Sequence, residues 1–214
     1  MIPDNIDLHL ASSLSAASEA IRHEMDSLHG KRLLLIDTAR RGEGRPLPDD
    51  EPLPMTEHGC RVEVVDIRGK SRAELESQLE SVHGCVLLGG NTYVLMHAIR
   101  ETEFARLLED RASRGGEPFL VIGESAGALV MGESIAHAKF VDDPQAAPEV
   151  IEEGIGWVGS RVLPHVGCEK YGLGEKVEAI IAADDDPISF LQIHEEELAS
   201  SWSEPMHQMA CTAS

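Results

Sequence analysis

"FLVIGESAGALVMGES", residues 119 to 134, sets an apolar run directly against a serine held between two glycines and then turns apolar again. Residues 118 to 122 read as a strand, and a helix is expected to start near Ala126. Between them, Gly123, Glu124, Ser125, Ala126 and Gly127 satisfy G-x-S-x-G, the strand-to-helix context that a nucleophile elbow requires. The turn there is so sharp that the serine backbone is strained, and side chains at the flanking glycines would collide. The serine hydroxyl would project above the sheet, and the following helix would offer its positive end to developing negative charge. A serine that only caps a helix is the plainer alternative; the strand before it and the small residues after it favour the nucleophile.

Working outward, the same alternation repeats. Strands are expected at 6 to 12, 32 to 38, 61 to 67 and 84 to 88. Helices are expected over "AASEAIRHEMDSL" from Ala16, "SRAELESQLESV" from Ser71 and "TYVLMHAIRETEFARLLEDRASR" from Thr92. The stretch from Arg40 to Pro54, with its prolines, glycines and acids, reads as a surface loop near the substrate entrance. Strands alternating with helices imply an α/β fold of three layers around a mostly parallel sheet. In such a sheet, function gathers at the carboxyl ends of the strands.

A second loop at that end is "VLLGGNTYVL". Gly89, Gly90 and Asn91 follow a strand and precede a helix, so their backbone can approach a substrate oxygen closely, and they are candidate substrate-binding residues. The plainer reading is a tight turn with Asn91 as N-cap. A serine nucleophile also needs a base. Among ten histidines, His165 in "SRVLPHVG" follows a short apolar strand and a proline at a strand end, while the others sit in helical or surface contexts. The acid that orients it comes from one of two places: Glu195, ending the strand of "FLQIHEEE", or Asp142 and Asp143 in "KFVDDP".

The 214 residues suffice for one domain, expected to span 1–214, with no repeat or low-complexity tract. The formal net charge of -20 repels phosphate backbones and anionic lipid, so neither nucleic acid nor a membrane surface is an expected partner. Cys60, Cys85, Cys168 and Cys211 share no C-x-x-C spacing and read as reduced thiols. No His or Cys pair is read as having ligand spacing, so no metal and no cofactor are expected. The N-terminus lacks the basic and apolar regions of a signal peptide, which makes the cytoplasm the expected compartment.

Taken together, "GGNT", "GESAGA", "VDDPxxAPE" and "LPH" resemble the peptidase E family of serine dipeptidases, which have the class I glutamine amidotransferase-like fold. The resemblance runs over nearly the whole chain. It implies a Ser-His-acid hydrolase of dipeptides or short peptides, with Ser125 as nucleophile and His165 as base; a monomer or homodimer is expected. The backbone N–H groups of Gly90 and Ala126 match the family's oxyanion hole. Family members take the acid either from after the late strand, matching Glu195, or from the loop after the elbow, matching Asp142 or Asp143; the order nucleophile, histidine, acid favours Glu195. Val166 stands where an aromatic residue is common, and only Lys170 and Lys176 offer the positive charge that pairs with an aspartyl substrate in some members. Two further readings stand beside this one. An α/β-hydrolase esterase would place Asp142 or Asp143 before a late base such as His194 or His207. A non-catalytic ligand-binding protein would use the same scaffold.

Overall fold

Leu33, Leu34, Leu35 and Ile36 are all fully buried, yet they do not share one core. Leu34 and Ile36 pack with Leu8, Leu10, Cys85, Leu87 and Val121, whereas Leu33 and Leu35 pack with Val86, Leu88, Leu120 and Ile122. Successive side chains of a strand point to opposite faces, so a run apolar at every position belongs to a sheet covered on both sides. The computed structural model describes residues 1–18, 29–48, 53–169, 172–183 and 190–200.

In chain order the described elements are β1 Ile6–Ala11, β2 Arg32–Ile36, α1 Thr38–Gly42, α2 Pro54–Glu57, β3 Arg61–Val65, α3 Arg72–Glu80, β4 Gly84–Leu87, α4 Thr92–Glu101 and α5 Phe104–Ala112. There follow β5 Phe119–Glu124, α6 Ala126–Leu129, β6 Arg161–Val166, α7 Leu173–Ala182, β7 Phe190–His194 and β8 Leu198–Ser200. The main sheet has the order β3-β2-β4-β5-β1-β8, parallel throughout except for β8, which runs antiparallel to β1. A separate parallel pair joins β6 to β7. Within the main sheet Ala11 lies opposite Glu124 and Leu87 opposite Gly123, so β1, β4 and β5 end at one level. Three loops therefore leave the sheet side by side at its carboxyl edge, and the site stands on them.

Three expectations need adjustment. The helix expected from Thr92 to Arg114 is two helices: the Thr102 hydroxyl donates to the carbonyl of Ala98 at 2.7 Å, and Glu103 takes a left-handed conformation, φ 52°, that ends one helix and starts the next. The loop expected from Arg40 to Pro54 begins inside α1 and is tethered to the core. Asp37, fully buried, accepts from Arg41 at 2.7 Å and from the N–H of Leu47 at 3.3 Å, and Leu47 and Leu53 are buried. Residues 49–52 lie outside the described residues, as do residues 19–28 of the helix expected from Ala16. Finally, α6 has only four residues, so the elbow is followed by a single turn whose macrodipole is slight. No helix among the described residues is long and apolar enough to cross a membrane.

Candidate active site

The turn from β5 into α6 admits only glycine at its flanks. A Cβ on Gly123 would lie 2.5 Å from the carbonyl oxygen of Gly127, and one on Gly127 would lie 2.1 Å from that of Leu87. Between them Ser125 sits at φ 49°, ψ -108°, a conformation unfavourable for an L side chain. Its N–H donates to Ala11 at 2.9 Å, and its carbonyl accepts from Ala128 and Leu129, so the strained residue is held from both strands and helix.

His165 reaches the same place from β6. The register of β6 against β7 shifts between Leu163 and Val166, where Pro164 has no N–H to give, and His165 emerges at φ 66°. Its N–H donates to the Ser12 hydroxyl at 2.8 Å, which donates in turn to the carbonyl of Ile193 at 2.9 Å. The ring then bridges two groups: Nε2 lies 2.9 Å from Ser125 Oγ, and Nδ1 lies 2.8 Å from Glu195 Oε2. An ionised carboxylate only accepts, so Nδ1 carries the proton and Nε2 is left to accept from the serine. The side chains of His165 and Glu195 are 16% and 24% exposed, which shields the pair from water while leaving a way in.

Asp142 and Asp143 are engaged elsewhere. Asp142 accepts from both the N–H and the hydroxyl of Thr92 at the start of α4, and burial pushes its carboxyl up against the pull of those bonds. Asp143 caps the short turn at Pro144, accepting from Gln145 at 2.9 Å. The arrangement expected of the esterase reading, either aspartate with His194, is not formed; His194 is exposed, and His207 lies outside the described residues. Asn91 takes its plainer role: its side chain accepts from Val94 at 3.0 Å as N-cap and donates to the carbonyl of Asp143, so it serves α4 rather than the cleft. Gly89 borders the cleft, but its N–H donates to Glu124 at 3.2 Å. Gly90, at φ 128°, has no room for a Cβ, which would meet Ala39 and Arg40 at 2.4 Å. Among the described residues, the N–H groups of Gly90 and Ala126 donate to no protein acceptor.

The sequence reading passes over two residues that hold the site. Ser12 fixes the backbone of His165. Glu124 accepts from Leu14 at 3.0 Å as well as from Gly89, and so ties the loops after β1 and β4 to the elbow. Glu124 is the x between the glycine and serine of G-x-S-x-G, but a spacing rule says nothing of its partners.

The sequence profile of peptidase family S51 matches residues 7–200. The chain belongs to peptidase family S51. It is a serine peptidase of the peptidase E family, with the class I glutamine amidotransferase-like fold. Among similar proteins, the uncharacterized peptidase PM1590 of Pasteurella multocida is 27% identical over 160 residues, 74% of this chain and 76% of the relative. The uncharacterized peptidase Lmo0363 of Listeria monocytogenes is 27% identical over 161 residues, 74% of this chain and 77% of its own. A solved structure from Listeria monocytogenes EGD-e, assigned to peptidase E, shares the fold with a TM-score of 0.74 at 22% identity, covering 91% of this chain and 97% of that one.

In this member of family S51 the serine and histidine stand where two compartments meet. One, of about 210 Å³, has the apolar wall Leu129, Val141, Leu163, Val177 and Ile180, with Glu43, Arg45 and Asp142 at its polar side. The other, of about 400 Å³, is polar and bordered by Ser12, Ser13, Ser15, Arg40, Arg45 and Cys168. Gly90, Ser125 and His165 border both. One group of side chains here has the donors for a metal ion: the ligand atoms of His165, Cys168 and Glu195 lie within 4.8 Å of one another.

Proposed function

We propose that this serine peptidase cleaves dipeptides or short peptides by a Ser-His-Glu mechanism, as a single domain over residues 1–214 that acts in the cytoplasm as a monomer or homodimer. The observation that carries the mechanism is the hydrogen-bonded chain from Ser125 through His165 to Glu195, built on a serine held at positive φ. Ser125 Oγ attacks the scissile carbonyl while its proton passes to His165 Nε2. The imidazolium so formed is stabilised by Glu195 at Nδ1. The carbonyl oxygen gains the negative charge and is received by the N–H groups of Gly90 and Ala126, which the protein leaves unused. His165 then protonates the leaving amine, the peptide bond breaks, and the acyl group stays on Ser125. Water, deprotonated by the same nitrogen, releases the acid and restores the hydroxyl.

The compartments beside Ser125, of about 210 and 400 Å³, lie below or near the low end of ordinary ligand pockets, about 300–1,000 Å³, which supports short substrates. The apolar wall of the smaller one, with Arg45 at its edge already paired with Glu43 and with Asp142 beside them, suits an uncharged side chain better than an aspartyl one. The reading is tested with a library of dipeptides varied at the N-terminal position, following release of the free amine, with Ser125→Ala as control. Cleavage of several members with apolar N-terminal residues, abolished in Ser125→Ala, is the expected result. Turnover of simple esters without any peptide cleavage overturns it in favour of an esterase, and tight binding without turnover in favour of a binding protein.

A further inference from the structure

We propose that His165, Cys168 and Glu195 form a binding site for a thiophilic divalent cation such as zinc, and that filling it switches hydrolysis off. The binding half stands on geometry alone; the inhibition half rests on the proposed roles of Ser125 and His165. The three residues come together because β6 ends in a tight turn. Gly167, at φ 71°, lets the chain reverse after His165, and the N–H of Cys168 donates back to the carbonyl of His165 at 3.1 Å. Cys168 is thereby returned beside the ring three residues further along the chain, and Glu195 arrives from the end of β7. The result is one nitrogen, one sulfur and one oxygen donor within 4.8 Å of one another.

That donor set is the one zinc prefers, and it offers three protein ligands and an open fourth position for water. Around a tetrahedral zinc, donors at about 2.0 to 2.3 Å from the metal stand about 3 to 4 Å apart. The existing spacing reaches this with side-chain movements of about an ångström, well within rotamer adjustment. An ion also has a route in: Cys168 is only 5% exposed, yet it borders the polar compartment together with His165 and Glu195. The surface as a whole, at a formal net charge of -20, gathers cations.

Occupancy is incompatible with the hydrolytic cycle. A metal on Nδ1 takes the position from which the ring now donates to Glu195, and the ring proton moves to Nε2. Nε2 is then a donor toward Ser125 Oγ and can no longer take its proton. The thiol loses its proton to solvent on ligation, and Glu195 spends its charge on the cation instead of on the imidazolium. Nothing is oxidised or reduced, and chelation reverses every step.

The test uses the full chain stripped of metal. Cobalt(II) is titrated into the wild type and into Ser125→Ala, following the thiolate-to-cobalt charge-transfer band, and zinc is then added in competition. In parallel, peptide turnover is measured across zinc-buffered solutions. The expected result is a one-to-one charge-transfer band in both proteins that zinc abolishes, and turnover lost with zinc and restored by chelator. Cys168→Ala is expected to lose the band and, measured against its own metal-free turnover, to need at least about 10-fold more zinc for half inhibition. Melting curves verify that it folds, and Cys168→Ser replaces it if it does not. An absent band, a band that survives loss of Cys168, zinc-insensitive turnover, or equal zinc sensitivity in the cysteine variant each overturns the proposal. If the wild type cleaves no peptide at all, the proposed function fails, while the cobalt titration of Ser125→Ala still decides the site.

Discussion

At Nδ1 of His165 a carboxylate 2.8 Å away decides which ring nitrogen holds the proton, and thereby whether Ser125 faces an acceptor or a competitor. Glutamine at 195 keeps the size and one acceptor oxygen, but it brings an amide donor that favours the other tautomer and no charge to offset the imidazolium. Glu195→Gln should therefore lower kcat on the order of 10⁴-fold with melting temperature almost unchanged. Asp142→Asn and Asp143→Asn should keep kcat within a few-fold, since both carboxylates are spent on caps. Steady-state kinetics on one dipeptide with all three variants is the measurement. Near-normal turnover in Glu195→Gln, with collapse in either aspartate variant, would assign the acid to the other loop.

Between elements, the site depends on groups that hold its backbone in place. Ser12 connects the loop after β1 to β6 and β7, accepting from His165 and donating to Ile193, while itself only 1% exposed. Ser12→Ala strands the His165 N–H beside a buried position, at a cost of about 1–3 kcal/mol. Urea unfolding should show that loss, and kcat should fall more than KM rises, because the ring loses its orientation and not its contact with substrate. Asp142 ties α4 to the segment after the elbow in a different way. Burial raises its pKa, so the folded chain binds this proton more tightly than the unfolded one. The stability it contributes is full below its ordinary value of 3.8 and is lost as pH rises through the folded pKa. Asparagine there keeps an acceptor for Thr92 and removes the titration. The unfolding free energy of wild type minus Asp142→Asn should thus decline as pH rises from below 4 toward neutrality. A difference that is flat or grows over that range contradicts the burial argument.

Over the whole molecule, what could be read in the sequence is what is local. The double-faced strand Leu33 to Ile36, the elbow glycines and the His after "LP" each declare themselves within a few residues, because sterics and side-chain period act at that range. Ser12 and Glu124 do not: the first meets its partner 153 residues away and the second 110, and no spacing encodes such pairs. The break at Thr102 escapes for a related reason, since one hydroxyl bond and one left-handed residue outweigh a continuous helical pattern. β8, a strand of three residues directly after a run of acids, is strand only because β1 offers an edge to pair with. Charge is the other property that belongs to no single element. With 38 acidic against 18 basic side chains, like charges repel over distances longer than any contact, and folding compresses them. Raising the ionic strength from about 0.01 to about 0.15 M shortens the screening length from about 30 to about 8 Å, below the typical spacing between surface charges on opposite sides of an element. The few exposed pairs that salt weakens, such as Lys31 with Glu117, contribute little each, so relief of repulsion dominates. The melting temperature should rise over that range, by about 2–4 °C for each kcal/mol gained in a chain of this size. Sodium chloride and choline chloride should act alike, because screening does not depend on which cation does it. A melting temperature that stays level or falls would mean that the acidic excess is already balanced by the arrangement of its neighbours.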